Sequence, residues 1–249
     1  MMIFDFDGVL INSLNEVTLT AYNAATAELV TCLADLPQTL RNMFQRNRFH
    51  VQVIGDAITL MKWCVLNHRN ASNHLITAEE YRALIGKEEV PQVARTRQFY
   101  NARDGFIQKD EAGWLAIHAP YRPLWDGLVL RRLDPIVILT NKNRDATGRL
   151  CRHFGLPVRE EDIYPGDHGV SKIENMEDIR KRFRLDHSAV IDDSIKNLQE
   201  LDTHFNREAK ILSLLFARWG YAGPGDAAAA NRLGYPVLEQ SDVIARLGE

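Results

Sequence analysis

The feature that most constrains the fold is a set of short apolar runs, each ending in polar residues. Met2–Phe6, Ile136–Thr140, Ala189–Asp192 and Ile211–Phe216 are rich in Ile, Val, Leu and Phe and read as strands buried on both faces. Asp162–Tyr164 is a weaker run of the same kind. Polar turns and helical patterns separate them, and such alternation specifies an α/β fold with a doubly wound, Rossmann-like parallel sheet. In these sheets the ligand crevice lies outside the carboxyl ends of the strands. Asp5 and Asp7, Thr140 and Asn141, and Asp192 and Asp193 all fall at such ends. Packing alone gives little reason for three buried strands to end in reactive groups.

Between the first run and the second lies a long insertion that reads as all-helical. Ser13-Leu14-Asn15-Glu16 has the form of a capping box, followed by an apolar stripe at Leu14, Val17, Ala21, Tyr22 and Ala25. Asp35-Leu36-Pro37 is expected to break that helix. Gly55 to His68 repeats a helical period, Thr77-Ala78-Glu79-Glu80 is a second capping box, and Pro91 opens a long helix through Phe99 and Tyr100. Trp63, Phe99, Tyr100 and Trp114 read as the apolar core of this bundle. Ala119-Pro120-Tyr121-Arg122-Pro123 reads as a linker back. The expected organisation is a core of residues 1–12 and 119–249 with an inserted helical domain of residues 13–118.

Composition excludes several classes. The 249 residues are 45% hydrophobic and 25% charged, as in an ordinary globular protein. The net charge is −3, and residues 14–118 hold 11 basic and 11 acidic residues, so neither part has the basic excess that a nucleic-acid partner needs. No apolar run approaches a membrane span. Cys32, Cys64 and Cys151 form no C-x-x-C and read as buried reduced thiols, and the eight histidines show no zinc-ligand spacing. The first ten residues lack the charged start of a signal peptide and carry candidate site residues, so the expectation is a cytoplasmic protein.

The polar residues at the strand ends define a chemistry. Asp5 and Asp7 share one face, and Gly8 then permits a tight turn. Two carboxylates this close recruit a cation, and hard divalent ions such as Mg²⁺ prefer oxygen ligands. Asp192 and Asp193 supply a second acidic pair, although Asp193 or Ser194 could equally cap the next helix. Thr140, Asn141 and the start of a following helix would form an anion cradle, or again a cap. Lys172 adds a cation near a helix start. Metal, nucleophile, hydroxyl and cation around one crevice are what phosphoryl transfer requires.

Asp5-Phe6-Asp7-Gly8-Val9-Leu10, Thr140, Lys172 and Asp192-Asp193 resemble, in order and context, the four motifs of the haloacid dehalogenase-like superfamily. Thr140-Asn141-Lys142 and Trp219-Gly220-Tyr221 are similar to segments of its phosphoglycolate-phosphatase-like and phosphomutase-like members. The resemblance implies that the helical insertion is a cap. It implies that Asp5 is the nucleophile and that Asp7 is the general acid and base. Thr140 and Lys172 would hold the phosphoryl group, with Asn141 beside them. Mg²⁺ would be bound by Asp5, the Asp7 carbonyl and the Asp192/Asp193 pair, with Asp193 the direct ligand and Asp192 a helper. Lys142 is the alternative phosphate-binding lysine. The dehalogenase branch lacks a carboxylate at the place of Asp7, which favours phosphate chemistry. Two departures stand out: Asn12 precedes Ser13 where an acid is usual, and Ile173 follows Lys172 in place of proline.

The function expected is therefore a Mg²⁺-dependent phosphatase acting on a small phosphorylated metabolite. A sugar phosphomutase and a non-catalytic phosphate-binding protein on the same fold are the alternatives. Within the insertion, Arg46-Asn47-Arg48-Phe49-His50 is the one polar cluster between helical segments. Arg48 is its candidate substrate contact, a plain surface turn being the other reading. The residues leave the substrate and the oligomeric state open.

Overall fold

The computed structural model describes residues 1–69, 73–131, 135–186 and 188–247. The chain forms two compact units, one of Met1–Asn12 with Ala119–Glu249 and the other of Ser13–His118. It opens with β1 (Met2–Phe4) and β2 (Ile11–Asn12). The helical unit then holds α1 (Leu14–Thr26), α2 (Gln38–Asn47), α3 (Asp56–Asn67), α4 (Ala78–Gly86), α5 (Gln92–Lys109) and α6 (Glu111–Ala116). The first unit resumes with β3 (Ala119–Pro120), α7 (Arg122–Arg131), β4 (Val137–Leu139), α8 (Arg144–Phe154), β5 (Ile163–Tyr164) and α9 (Lys172–Arg182). It ends with β6 (Ser188–Asp192), α10 (Ile195–Phe205), β7 (Leu212–Ala217), α11 (Asp226–Arg232), β8 (Val237–Leu238) and α12 (Gln240–Arg246).

Six strands make one parallel sheet in the order β5-β4-β1-β6-β7-β8. This is the Rossmann-like order, in which the winding direction reverses at β1. Alternate residues of each strand face opposite layers. Ile3, Val137, Leu139, Val190 and Leu214 pack with Met176 and Ile179 of α9 and Leu198 and Leu201 of α10. The opposite layer holds buried Trp125 of α7, whose indole lies 6.4 Å from the Phe6 ring. The switch in winding opens the crevice between β1 and β6, so the fold itself selects which strand ends can bind a ligand.

Three small elements were not legible in the sequence. β2 and β3 pair antiparallel, Ile11 beside Pro120, so the expected linker is partly strand and then the start of α7. β8 extends the sheet at its edge. Strands of two residues carry no alternation to read.

In the helical unit, Thr77 and Glu80 form the expected capping box. Ser13 and Glu16 do not: Ser13 makes no side-chain cap bond. Glu16 is instead fully buried, accepting hydrogen bonds from Arg103 Nε at 2.8 Å and Nη2 at 3.1 Å and from Thr20 Oγ1 at 2.8 Å. An ionised carboxylate removed from water needs a charged partner more than a helix end needs a cap. Helix α1 also stops before Asp35-Leu36-Pro37, because Ala27 turns left-handed at φ 59°. Phe99 and Trp114 are buried as expected, whereas Trp63 and Tyr100 are only half-buried. Cys64 and Cys151 are buried, but Cys32 is exposed, contrary to expectation. Among the described residues no helix is long and apolar enough to cross a membrane.

Candidate active site

β1 and β6 lie side by side with Phe4 beside Ile191, and the Asp5 N–H donates to the Ile191 carbonyl at 2.9 Å. The chain segments that leave these strands therefore emerge together. Asp5, Asp192 and Asp193 each place a carboxylate oxygen within 4.8 Å of the others. Their exposures are 6%, 0% and 9%. Such crowding of buried like charges is costly unless cations offset it.

Lys172 is one such cation. Its Nζ lies 2.6 Å from both Asp5 Oδ1 and Asp192 Oδ2. A capping box between Ser171 and Glu174 starts α9 here and makes Lys172 its first residue. Burial pushes the Asp5 carboxyl well above its usual range; Lys172 opposes this, while Asp192 and Asp193 add to it. Burial alone would lower the Lys172 ammonium, but Asp192 and Asp5 outweigh it and hold it above the ordinary lysine range.

Asp192 is fixed further by the Ser194 N–H at 2.8 Å and by Asn197 Nδ2 at 3.1 Å, both donating to Oδ1. Ser194 in turn caps α10. Asp193 lies just past the strand, and its Oδ2 accepts the Tyr221 N–H at 2.6 Å. Asp7 follows Asp5 in a tight turn at Gly8, where φ is +94° and the N–H donates to Ile11 O at 2.9 Å. Lys142 Nζ reaches both Asp7 oxygens, at 3.1 and 3.3 Å. The Lys142 N–H bonds Thr140 Oγ1 at 3.1 Å, which ties the threonine and the lysine into one turn. The two candidate lysines thus serve different acids, Lys172 with Asp5 and Lys142 with Asp7.

Some sequence expectations fall elsewhere. α8 starts only at Arg144, so no helix begins directly at Thr140–Asn141, and Asn141 is exposed. Arg48 donates through Nη1 to the Val51 carbonyl at 2.8 Å within the helical unit. Asn197 and the Tyr221 backbone are site groups that the sequence does not single out, although Asn197 lies in the first turn of the helix that follows Asp192. Tyr121 reads from the sequence only as linker, yet burial and then the charges of Asp193 and Asp7 raise its phenol above the usual range.

The donor set suits a hard divalent cation. It consists of carboxylate oxygens from two adjacent strand ends, and the acids outnumber the two lysines. Two buried ammonium groups pair with these acids, and the buried Thr140 hydroxyl is tied to the backbone of one of them.

The chain belongs to the haloacid dehalogenase-like hydrolases, the family whose model matches residues 1–201. It is therefore a hydrolase of that family. Among solved structures it is similar to a predicted phosphoglycolate phosphatase from Haemophilus somnus 129PT, at 13% identity and a TM-score of 0.59, over 98% of this chain and 96% of that one. A predicted phosphatase from Clostridium acetobutylicum matches at 14% identity and a TM-score of 0.54, over 99% and 96%. A haloacid dehalogenase family hydrolase from Deinococcus radiodurans R1, crystallised with bound phosphate and sodium, matches at 17% and 0.51, over 99% and 95%. At these identities the likeness is one of fold. No curated protein matches the chain.

Proposed function

We propose that this hydrolase is a Mg²⁺-dependent phosphatase that cleaves a small phosphorylated metabolite through an aspartyl-phosphate on Asp5. The observation that carries the reading is the buried cluster of Asp5, Asp192 and Asp193 with Lys172 at the switch point of the sheet. Solved structures of like fold include proteins described as phosphatases and one holding phosphate, which supports the same chemistry.

In this reading the Asp5 carboxylate attacks the phosphorus in line. The alcohol leaves with a proton from Asp7. Asp7 then takes a proton from water as the water attacks the aspartyl-phosphate, releasing phosphate and restoring Asp5. Lys172 and Thr140 hold phosphoryl oxygens and offset charge that develops on them. Lys142 orients Asp7 toward the leaving group. Mg²⁺ held by Asp5, the Asp7 carbonyl and Asp193, with Asp192 assisting, would supply further charge stabilisation.

A screen of phosphorylated metabolites for released phosphate, with Mg²⁺ and with EDTA, tests the proposal. Release that depends on Mg²⁺ supports it. An isomerised sugar phosphate with no free phosphate would make the protein a mutase, and turnover unaffected by EDTA would remove the metal.

The two adjacent acids separate by role. Asp193→Ala should raise the Mg²⁺ concentration for half-maximal activity more than Asp192→Asn does, by about tenfold or more over wild type. Asp192→Asn should instead lower thermal stability more, because Lys172, Ser194 and Asn197 all lean on that carboxylate. Mg²⁺ titrations and melting curves of both variants decide; the reverse ranking would place the direct ligand one residue earlier.

A further inference from the structure

Beyond the four motifs, one segment holds the site together from outside it. β6 and β7 run in register to their ends, with Asp192 beside Phe216. The turn after β7 therefore emerges against Asp193. Three consecutive residues there each touch the site in a different way. Trp219 donates its indole N–H to the Val9 carbonyl at 3.0 Å, next to the Gly8 turn that carries Asp5 and Asp7. Gly220 lies so close to Asp193 that a β-carbon on it would fall 2.3 Å from the Asp193 Cβ and 2.5 Å from Oδ2. Tyr221 donates its backbone N–H to Asp193 Oδ2 at 2.6 Å. Gly8 also meets this carboxylate, where a β-carbon would fall 2.1 Å from Oδ2.

The glycine at 220 is informative because its backbone does not demand it. The positive-φ glycines are Gly8, Gly155, Gly169, Gly225 and Gly234, and Gly220 is not among them. Another L-residue could take its backbone conformation; only the approach to Asp193 forbids a side chain. At Gly8 both reasons apply, since φ is +94°. Both glycines thus lie close against Asp193, the Tyr221 N–H donates to its carboxylate, and Trp219, two residues before that donor, ties the segment to the Asp5–Asp7 turn.

We propose that Trp219-Gly220-Tyr221 is a positioning segment that sets the orientation of Asp193 relative to Asp5 for divalent-cation binding. The proposal rests on the reading of Asp193 as a metal ligand. Outer partners of ligating carboxylates commonly change metal affinity by about 10–100-fold when lost. A side chain at 220 must displace Asp193, its Cβ as well as its carboxylate, whereas Trp219→Phe removes the indole hydrogen bond and leaves a smaller aromatic ring.

The test is direct Mn²⁺ binding to the full chain, followed by electron paramagnetic resonance in the absence of substrate, with melting curves in EDTA. Gly220→Ala should weaken Mn²⁺ binding about tenfold or more while melting within a few degrees of wild type in EDTA. Trp219→Phe should shift it the same way, by about threefold. Mn²⁺ binding by Gly220→Ala equal to wild type, where Asp193→Ala has lost it, would overturn the positioning role and leave the metal reading intact. A wild-type protein that binds no Mn²⁺ would overturn both. Should Gly220→Ala fail to fold, Trp219→Phe decides: weakened binding supports the proposal and unchanged binding overturns it.

Discussion

Asp5→Asn should abolish turnover and leave the fold intact. An amide oxygen is a far poorer nucleophile than a carboxylate, and an expected loss of at least about a thousandfold follows from removing the attacking group. The substitution is nearly isosteric, and the backbone bond from Asp5 to Ile191 does not involve the side chain. Electrostatics also argue against unfolding. Burial and the neighbouring acids outweigh Lys172 and raise the Asp5 carboxyl above its usual range, so ionising it is harder in the metal-free fold than in the unfolded chain. A raised carboxyl contributes stability below its unfolded value and loses that contribution as pH rises through the folded value. Ionising Asp5 is then a cost to the metal-free fold, one that a neutral amide removes. Melting in EDTA should accordingly be unchanged or higher. Retention of more than a few per cent of phosphate release by purified Asp5→Asn would place the nucleophile elsewhere.

The second large effect concerns stability of the helical unit. Arg103→Met removes the guanidinium that donates twice to Glu16, a carboxylate with no exposed surface. Breaking one side of a buried ion pair typically costs about 3–5 kcal/mol, because the other charge stays behind in a poor solvent. Glu16→Gln combined with Arg103→Met should recover much of that loss, since a neutral amide is cheaper to bury than an unpaired charge. Urea unfolding followed by far-ultraviolet circular dichroism measures both. A loss below about 1 kcal/mol in the single variant, as for an exposed ion pair, would contradict the assignment.

These two cases mark how far the sequence could be read. The strand ends at Asp5 and Asp192 were legible because burial imposes a local pattern: a run of apolar residues that stops where the chain meets solvent or ligand. Glu16 departs from its local pattern for the complementary reason. A serine followed three residues on by a glutamate has the local form of a capping box. Its actual partner, Arg103, lies 87 positions along the chain, and no local rule sees it. The same limit applied to the lysines. Lys142 and Lys172 were both candidates, and only the fold assigned Lys142 to Asp7 across 135 positions and Lys172 to Asp5 across 167.

By itself, then, the sequence determined the parallel α/β class and the acidic and hydroxyl residues placed at strand ends. Each is a consequence of hydrophobic period and of turn chemistry within a few residues. The tertiary structure decided the rest: which cation meets which acid, that β8 extends the sheet at its edge, and that Trp219 reaches Val9 across 210 positions to brace the first turn. The physical reason is that ion pairs and hydrogen bonds act over about 3 Å in space and are indifferent to separation along the chain, so their partners exist only once the strands have chosen their neighbours.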